Sequence, residues 1–206
     1  MRRHWNGYAV FCPEHISAYS LILEEGTLFW NWYEKTDHPK DHPPLPDEET
    51  ERQMYEQDKR DSDKDTDMNG YEITNYAKKG KECRHNIGYW RRIPYLGFGV
   101  GAASLFEEQR WSNLRDRKKY VETWSENEPK EALLLTREEV QKLSGREAQE
   151  ETMFLGLRMM EGVSEAEFAA RFHHTVEEFM EMRSGNWNRS ISYKEAGAYR
   201  FNRPGN

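Results

Sequence analysis

The sequence predicts an α/β protein, with strands in its first half and helices filling its last third. Three observations carry this expectation. His15-Ile16-Ser17-Ala18-Tyr19-Ser20-Leu21-Ile22 has apolar side chains at both parities, as a strand covered on both faces does. Tyr71-Glu72-Ile73-Thr74-Asn75-Tyr76 alternates with the two-residue period of a half-buried strand. Thr136-x-x-Glu139 and Ser164-x-x-Glu167 both read as capping boxes, in which side chain and backbone satisfy each other at a helix start.

Along the chain, Glu24-Glu25-Gly26-Thr27 turns the first strand into an aromatic cluster, Phe29-Trp30-Asn31-Trp32-Tyr33, and then into a Pro/His/Asp loop over 38–44. Pro46-Asp47-Glu48-Glu49 opens a helix, its acidic residues at the positive end of the dipole. From Asp58 to Asn69 the only apolar residue is Met68, so no helix face there can pack and a solvated or disordered stretch is expected. Lys79-Gly80-Lys81 is a turn. A helix is expected over Asn113–Glu126, with Leu114, Tyr120, Val121 and Trp124 as its apolar positions. Met153, Phe154, Leu157 and Met160 form a helical stripe that Gly162 terminates. Past Arg183 the text is Ser/Asn/Gly/Arg-rich and without period, so 184–206 is left as an unassigned tail. The domain boundary is placed at 112/113, with a helical domain over 113–183.

Composition narrows the function classes. The 206 residues suffice for one sizeable domain, or for one domain with a helical appendage. A hydrophobic share of 36% against 33% charged is thin for a fully covered core, while 13% aromatic content suits pocket linings. A net charge of −7 speaks against a broad nucleic-acid surface, which needs a basic face. No apolar run is long enough to span a bilayer. The basic start, Met1-Arg2-Arg3-His4, has no apolar stretch behind it, so it does not read as a signal peptide. Without an export signal, Cys12 and Cys83 are expected as reduced thiols and the cytoplasm as the location.

Chemistry concentrates between Tyr71 and Ser104. Gly97-x-Gly99-x-Gly101-Ala102-Ala103 would let a backbone approach a flat ligand closely, or would simply make a tight strand against a helix; it lacks the GxGxxG spacing. His85 follows Cys83 by two, so an extended backbone would put both side chains on one face, and imidazole and thiolate both ligate heme iron. Arg84, Arg91 and Arg92 are close enough in sequence to pair with propionates, and Tyr89 and Trp90 offer flat faces to a macrocycle. The alternative is a hydrogen-bonded histidine that positions a loop. His38 and His42 have H-x3-H spacing, but the surrounding prolines oppose the helix a metal site would need. His173 and His174, being adjacent, are read as surface and edge residues. The acidic run from Asp58 to Asp67 lacks the calcium-loop pattern.

Several segments together resemble the coproporphyrinogen III oxidase-like radical SAM proteins. His15–Leu21, Glu24–Thr27, Tyr71–Ala77, Cys83–Trp90, Pro94–Ser104 and Phe154–Arg158 match in order, covering roughly 14–57 and 71–182. The H-N-x-x-Y-W text of His85, Asn86, Tyr89 and Trp90 is the most specific piece, and it resembles the heme chaperone branch. The resemblance implies the C-terminal part of a TIM-like (β/α) barrel over 1–112, followed by the helical domain. It implies heme as cargo, with His85 as iron ligand inside the Asn86, Tyr89 and Trp90 text; the residue types add Arg84 as the expected propionate partner beside it. Heme-accepting proteins are the partners it implies. It also implies S-adenosylmethionine beside Gly99, Gly101 and Ala103, and a [4Fe–4S] cluster in the family. The family's CxxxCxxC motif is absent from these residues, and two cysteines cannot supply three thiolates. The family's reaction, propionate decarboxylation by a 5′-deoxyadenosyl radical, is the competing expectation. A fragment without function, or a plain interaction module, is a third. The abrupt losses of apolar pattern at 58–69 and after 183 are what frameshifts produce; an intact reading frame across both would remove that explanation.

Overall fold

The computed structural model describes residues 11–34, 43–65, 67–181, 193–195 and 198–200. The basic start, His38 and His42 lie outside the described residues. Two compact units divide between Cys83 and Arg84.

In the first unit, β1 (His15–Ser17), β2 (Met68–Gly70) and β3 (Asn75–Lys78) form an antiparallel sheet in the order β1-β3-β2. The central strand holds the core, with Asn75, Tyr76 and Ala77 buried beside Met68. β1 is shorter than its apolar text suggests. After Ala18 donates to the Thr74 carbonyl the chain leaves the sheet, and Tyr19, Leu21 and Ile22 are exposed. Tyr71–Tyr76 is not a continuous strand either. Glu72 is buried and its Oε1 accepts from Thr74 N (2.7 Å), Thr74 Oγ1 (2.7 Å) and Asn75 Nδ2 (2.6 Å). A local side-chain-to-backbone network of this kind competes with ladder pairing, so the strand begins only at Asn75.

Between β1 and β2 lie α1 (Leu28–Tyr33), capped by Thr27, and α2 (Glu48–Asp65), capped by Asp47. The stretch expected to be solvated or disordered is helical as far as Asp65, and Met68 is fully buried in β2. In the first half of α2, Arg52 pairs with Glu49 and Glu56 at the spacings that support a helix without packing. Every described strand pairing is antiparallel, so the expected barrel half is not seen among the described residues. Parallel strands need apolar helices over both faces, and the charged text of α2 offers no apolar stripe for that role.

The second unit begins with α3 (Arg84–Trp90). β4 (Ala103–Phe106), β5 (Gln109–Asn113) and β6 (Arg137–Lys142) make an antiparallel sheet in sequence order, with α4 (Arg117–Glu126) and α5 (Pro129–Leu135) between β5 and β6. The boundary expected at 112/113 falls inside β5, and the helix expected from Asn113 starts at Arg117 behind an Asp116 cap. Thr136 opens no helix. Its hydroxyl is buried and donates back to the Ala132 carbonyl at the end of α5, and pairing of Arg137 and Glu138 with β5 wins over the capping-box text.

The helical module follows as α6 (Gly145–Gly156), β7 (Val163–Ser164), α7 (Glu165–Phe172) and α8 (Val176–Glu181). Ser164 caps α7 as expected, accepting from Glu167 N. Ser144 and Glu147 form a full reciprocal box at α6. Met153 and Leu157 enter the core while Phe154 stays exposed, and α6 ends at Gly156 rather than Gly162. Gly156 explains the ending: a Cβ there would stand 2.6 Å from Val163 Cγ2, so β7 crosses close against the helix end. Phe168, Val176, Phe179 and Val163 complete the core together with Tyr199. Tyr199 comes from the tail, where β8 (Tyr193–Glu195) and β9 (Ala198–Arg200) add to β7 in the order β7-β9-β8.

Candidate functional site

The site is built on α3 and the loop after it. A helix beginning at Arg84 replaces the extended backbone that would align Cys83 with His85. In the helix, His85 and Tyr89 are four apart and share a face. The Tyr89 ring meets His85 edge-on at 4.7 Å and 85°, and meets Tyr95 in the same way at 4.7 Å and 82°. His85 is exposed, and no hydrogen bond ties its imidazole among the described residues. Burial pushes the Tyr95 phenol above its ordinary value. Tyr95 was legible only as part of the family text; no spacing rule links it to His85.

Trp90 lies about 140° around the helix from His85. Arg158 stands over its ring at 4.5 Å, and its indole N–H is buried without an acceptor among the described residues. Trp90 and Arg91 also line a cleft of about 290 Å³ with Gly156, Met159 and Val163. The structure thus places Trp90 against the helical module, away from the His85 face.

The three arginines part company. Arg84 is exposed at the start of α3. Arg91 is exposed but donates from Nε (3.0 Å) and Nη2 (2.6 Å) to Glu161. Arg92, expected near propionates, is buried to 1% exposure. Its Nη1 and Nη2 donate to Glu108 (3.0 and 2.6 Å) and its Nε to Glu151 (2.6 Å). Arg110 also bonds Glu151, and Arg171 reaches Glu108 at 3.3 Å. A buried guanidinium needs such carboxylates; three of the five N–H groups of Arg92 are spent on them, and at this burial it is not presented to a ligand's propionate. Its partners lie 16 and 59 residues away, which no local pattern signals.

Glu108 is held below the ordinary carboxylate range chiefly by hydrogen bonds from Arg92. Burial pushes Glu151 up, but bonds from Arg110 and Arg92 outweigh it and its value is also lowered. A carboxylate depressed in the folded state contributes stability above its unfolded value, near 4.5, and loses it as pH falls through the folded value. The midpoint of urea unfolding is therefore expected to be flat from neutral pH down to about pH 5 and to fall below about pH 4.5. Replacing Glu108 by Gln should flatten that acid limb.

The glycine segment is a turn, not a strand. Gly99 (φ 100°) and Gly101 (φ 68°) adopt backbone that side chains oppose, and β4 begins only at Ala103. The loop's polar groups are tied down: Gly97 N to Ser104, Gly99 N to the Tyr120 hydroxyl, and the Gly97 and Gly99 carbonyls to Asn113 Nδ2. Leu96, Phe98 and Val100 are exposed between them.

The donor sets separate the family's groups. An exposed imidazole flanked by a tyrosine edge suits a flat iron porphyrin. Two cysteines in all do not suit a three-thiolate cluster, and no group of three or more His, Cys, Asp or Glu side chains able to hold a metal occurs among the described residues. No described helix is long and apolar enough to cross a membrane.

Comparison with known proteins gives a consistent answer. Residues 143–185 match the model of the HemN C-terminal domain. The chain is 35% identical to heme chaperone HemW of Bacillus subtilis over 80% of its own length and 40% of that protein. It is 34% identical to HemW of Synechocystis, over 75% of this chain and 35% of the relative. It is 32% identical to the bovine mitochondrial radical S-adenosyl methionine domain-containing protein 1, over 79% and 36%. The chain thus spans about two fifths of these relatives' length. Among solved structures, coproporphyrinogen III oxidase HemN of Escherichia coli, described as a radical SAM enzyme, aligns with a TM-score of 0.50 at 11% identity, covering 76% of this chain and 38% of that one. That likeness concerns the fold.

Proposed function

We propose, because this chain is the C-terminal half of a HemN/HemW-like radical SAM protein, that it is the heme-handling half of a heme chaperone of the HemW kind. The single observation that carries the reading is His85: an exposed imidazole on a short helix, held edge-on by Tyr89, inside the text most similar to the heme chaperone branch. Heme is cargo here. Imidazole nitrogen ligates its iron, and the Tyr89 ring beside it offers apolar contact to the macrocycle. Arg84, exposed one position before His85, is the arginine left to meet a propionate, and Asn86 flanks the ligand on the helix. Trp90 supports the helix from behind, through its stack with Arg158.

Other parts of the reading follow the family. The turn holding Gly99 and Gly101, with Ala103 at the strand start, is the segment proposed to face S-adenosylmethionine, on the family resemblance of Pro94–Ser104. The unit before Arg84 is proposed to derive from the end of the radical SAM barrel. Delivery to heme-accepting proteins in the cytoplasm completes the proposed role. No step through an iron–sulfur cluster is assigned to these residues, because their thiols cannot hold one.

A hemin titration of the full chain, followed by its Soret band beside His85→Ala, tests the reading. Saturable binding near one per chain is expected for the wild type, with at least a roughly tenfold loss of affinity in the variant, as befits the loss of about 1.4 kcal/mol or more of ligation. Equal binding by both proteins would remove His85 from the proposed role.

A further inference from the structure

We infer that Arg92 is a positioning residue for the His85 face: clasped by Glu108 and Glu151, it locks the end of α3 and so fixes the edge-on arrangement of the His85, Tyr89 and Tyr95 rings. The inference rests on the functional reading only where heme is concerned.

The backbone supplies the first observation. Arg92 N donates to the Tyr89 carbonyl (3.0 Å) and Ile93 N to that of Gly88 (2.9 Å), the two bonds of a Schellman termination. Arg92 occupies the left-handed position of that motif at φ 54°, where glycine is the usual residue. The second observation lies across the pair. Glu107 and Glu108 are the two loop residues of the β4–β5 hairpin, since Phe106 pairs with Gln109. Both have positive φ, 50° and 55°, at positions that favour asparagine and glycine. Both ends of the bidentate Arg92–Glu108 pair therefore stand on backbone that their residue types oppose. Such strain persists only where the surroundings over-determine it, and it clusters where geometry matters to function.

The clasp has the right reach. Arg92 ends the helix that carries His85, Glu108 sits on the hairpin, and Glu151 lies on α6 within the HemN C-terminal domain match. Arg171 of α7, from the same domain, adds bonds to Glu108 and to the Arg92 carbonyl at 3.5 Å. Rotation of α3 about its axis would break the fork at both carboxylates. A seven-residue helix has little rigidity of its own, so the clasp decides where its exposed face points.

Arg92→Gly tests this, because glycine suits the left-handed backbone; it removes the clasp together with the buried side-chain stem, so Arg92→Lys, which keeps the stem, is read beside it. Three readouts are taken on the full chain: the thermal melt, amide hydrogen exchange over residues 87–93, and the ring-proton shifts of His85, which the edge of Tyr89 perturbs. The variant is expected to melt cooperatively, to exchange roughly tenfold faster across that helix end, and to lose the ring shift. Hemin affinity should fall about tenfold if the competent orientation drops to a tenth of the population. Arg92→Lys, which keeps the charge without the fork, should move the same readouts less, and Arg91→Ala should leave them as in wild type. Wild-type exchange and ring shifts in Arg92→Gly would overturn the inference. A wild-type chain that fails to bind hemin would refute the heme reading instead, and exchange and ring shifts would still decide Arg92.

Discussion

Phe168→Ala is expected to destabilise the helical module by about 4 kcal/mol, the largest loss from any single side chain outside the ion network. Phe168 is 1% exposed at the centre of a core formed by Met153, Leu157, Val163, Val176, Phe179 and Tyr199. Its ring meets Phe172 at 4.8 Å and Phe179 at 5.8 Å, both tilted, so truncation removes two aromatic contacts as well as apolar area. The hole would border helices from α6 to α8 and strand β9, elements too short to collapse into it without breaking their own pairing. A domain of this size has about 5–15 kcal/mol in total, so the loss is a large fraction of it. Chemical denaturation followed by far-ultraviolet circular dichroism would show the transition shifted to lower denaturant with its slope kept. A midpoint unchanged from wild type would mean that this core does not hold the module together.

The second large effect is electrostatic. Glu151→Ala is expected to cost about 3 kcal/mol, because it leaves the buried Arg92 guanidinium with its Nε unpaired and removes a partner of Arg110. Removing one partner of a buried pair costs far more than the pair contributes net, since the remaining charge stays out of water. Arg91→Ala, at an exposed pair with Glu161, should change stability by no more than about 0.5 kcal/mol. The contrast between these neighbouring sites separates burial from mere ion pairing. Equal midpoints for the two variants would show that Arg92 is solvated in solution.

What could be read from the sequence follows physical range. Ser164 was visible as a cap because its partner Glu167 lies three residues on. Thr136 carried the same local text and failed, because Arg137 and Glu138 pair with Asn113 and Ser112 of β5, a contact no local pattern announces. His85 and Tyr89 were legible through residue type and family text, whereas the Cys83–His85 spacing misled because a helix starts at Arg84. The fate of Arg92 was not: Glu107-Glu108 is no turn signal, and Glu151 lies on a helix 59 residues away. The tail was set aside for its polar text, yet Tyr199 enters the core through β9. The barrel expectation rested on family text alone, while the charged residues of α2 already spoke against a covered parallel sheet.

Heme handling through His85 is tested most directly by the axial-ligand signature of the ferric hemin complex, read by electron paramagnetic resonance on the full chain beside His85→Ala. A nitrogen-ligated spectrum that disappears in the variant, while both proteins still melt cooperatively, is the predicted result. Identical spectra from the two proteins, or no ligand field from protein nitrogen in the wild type, would contradict it.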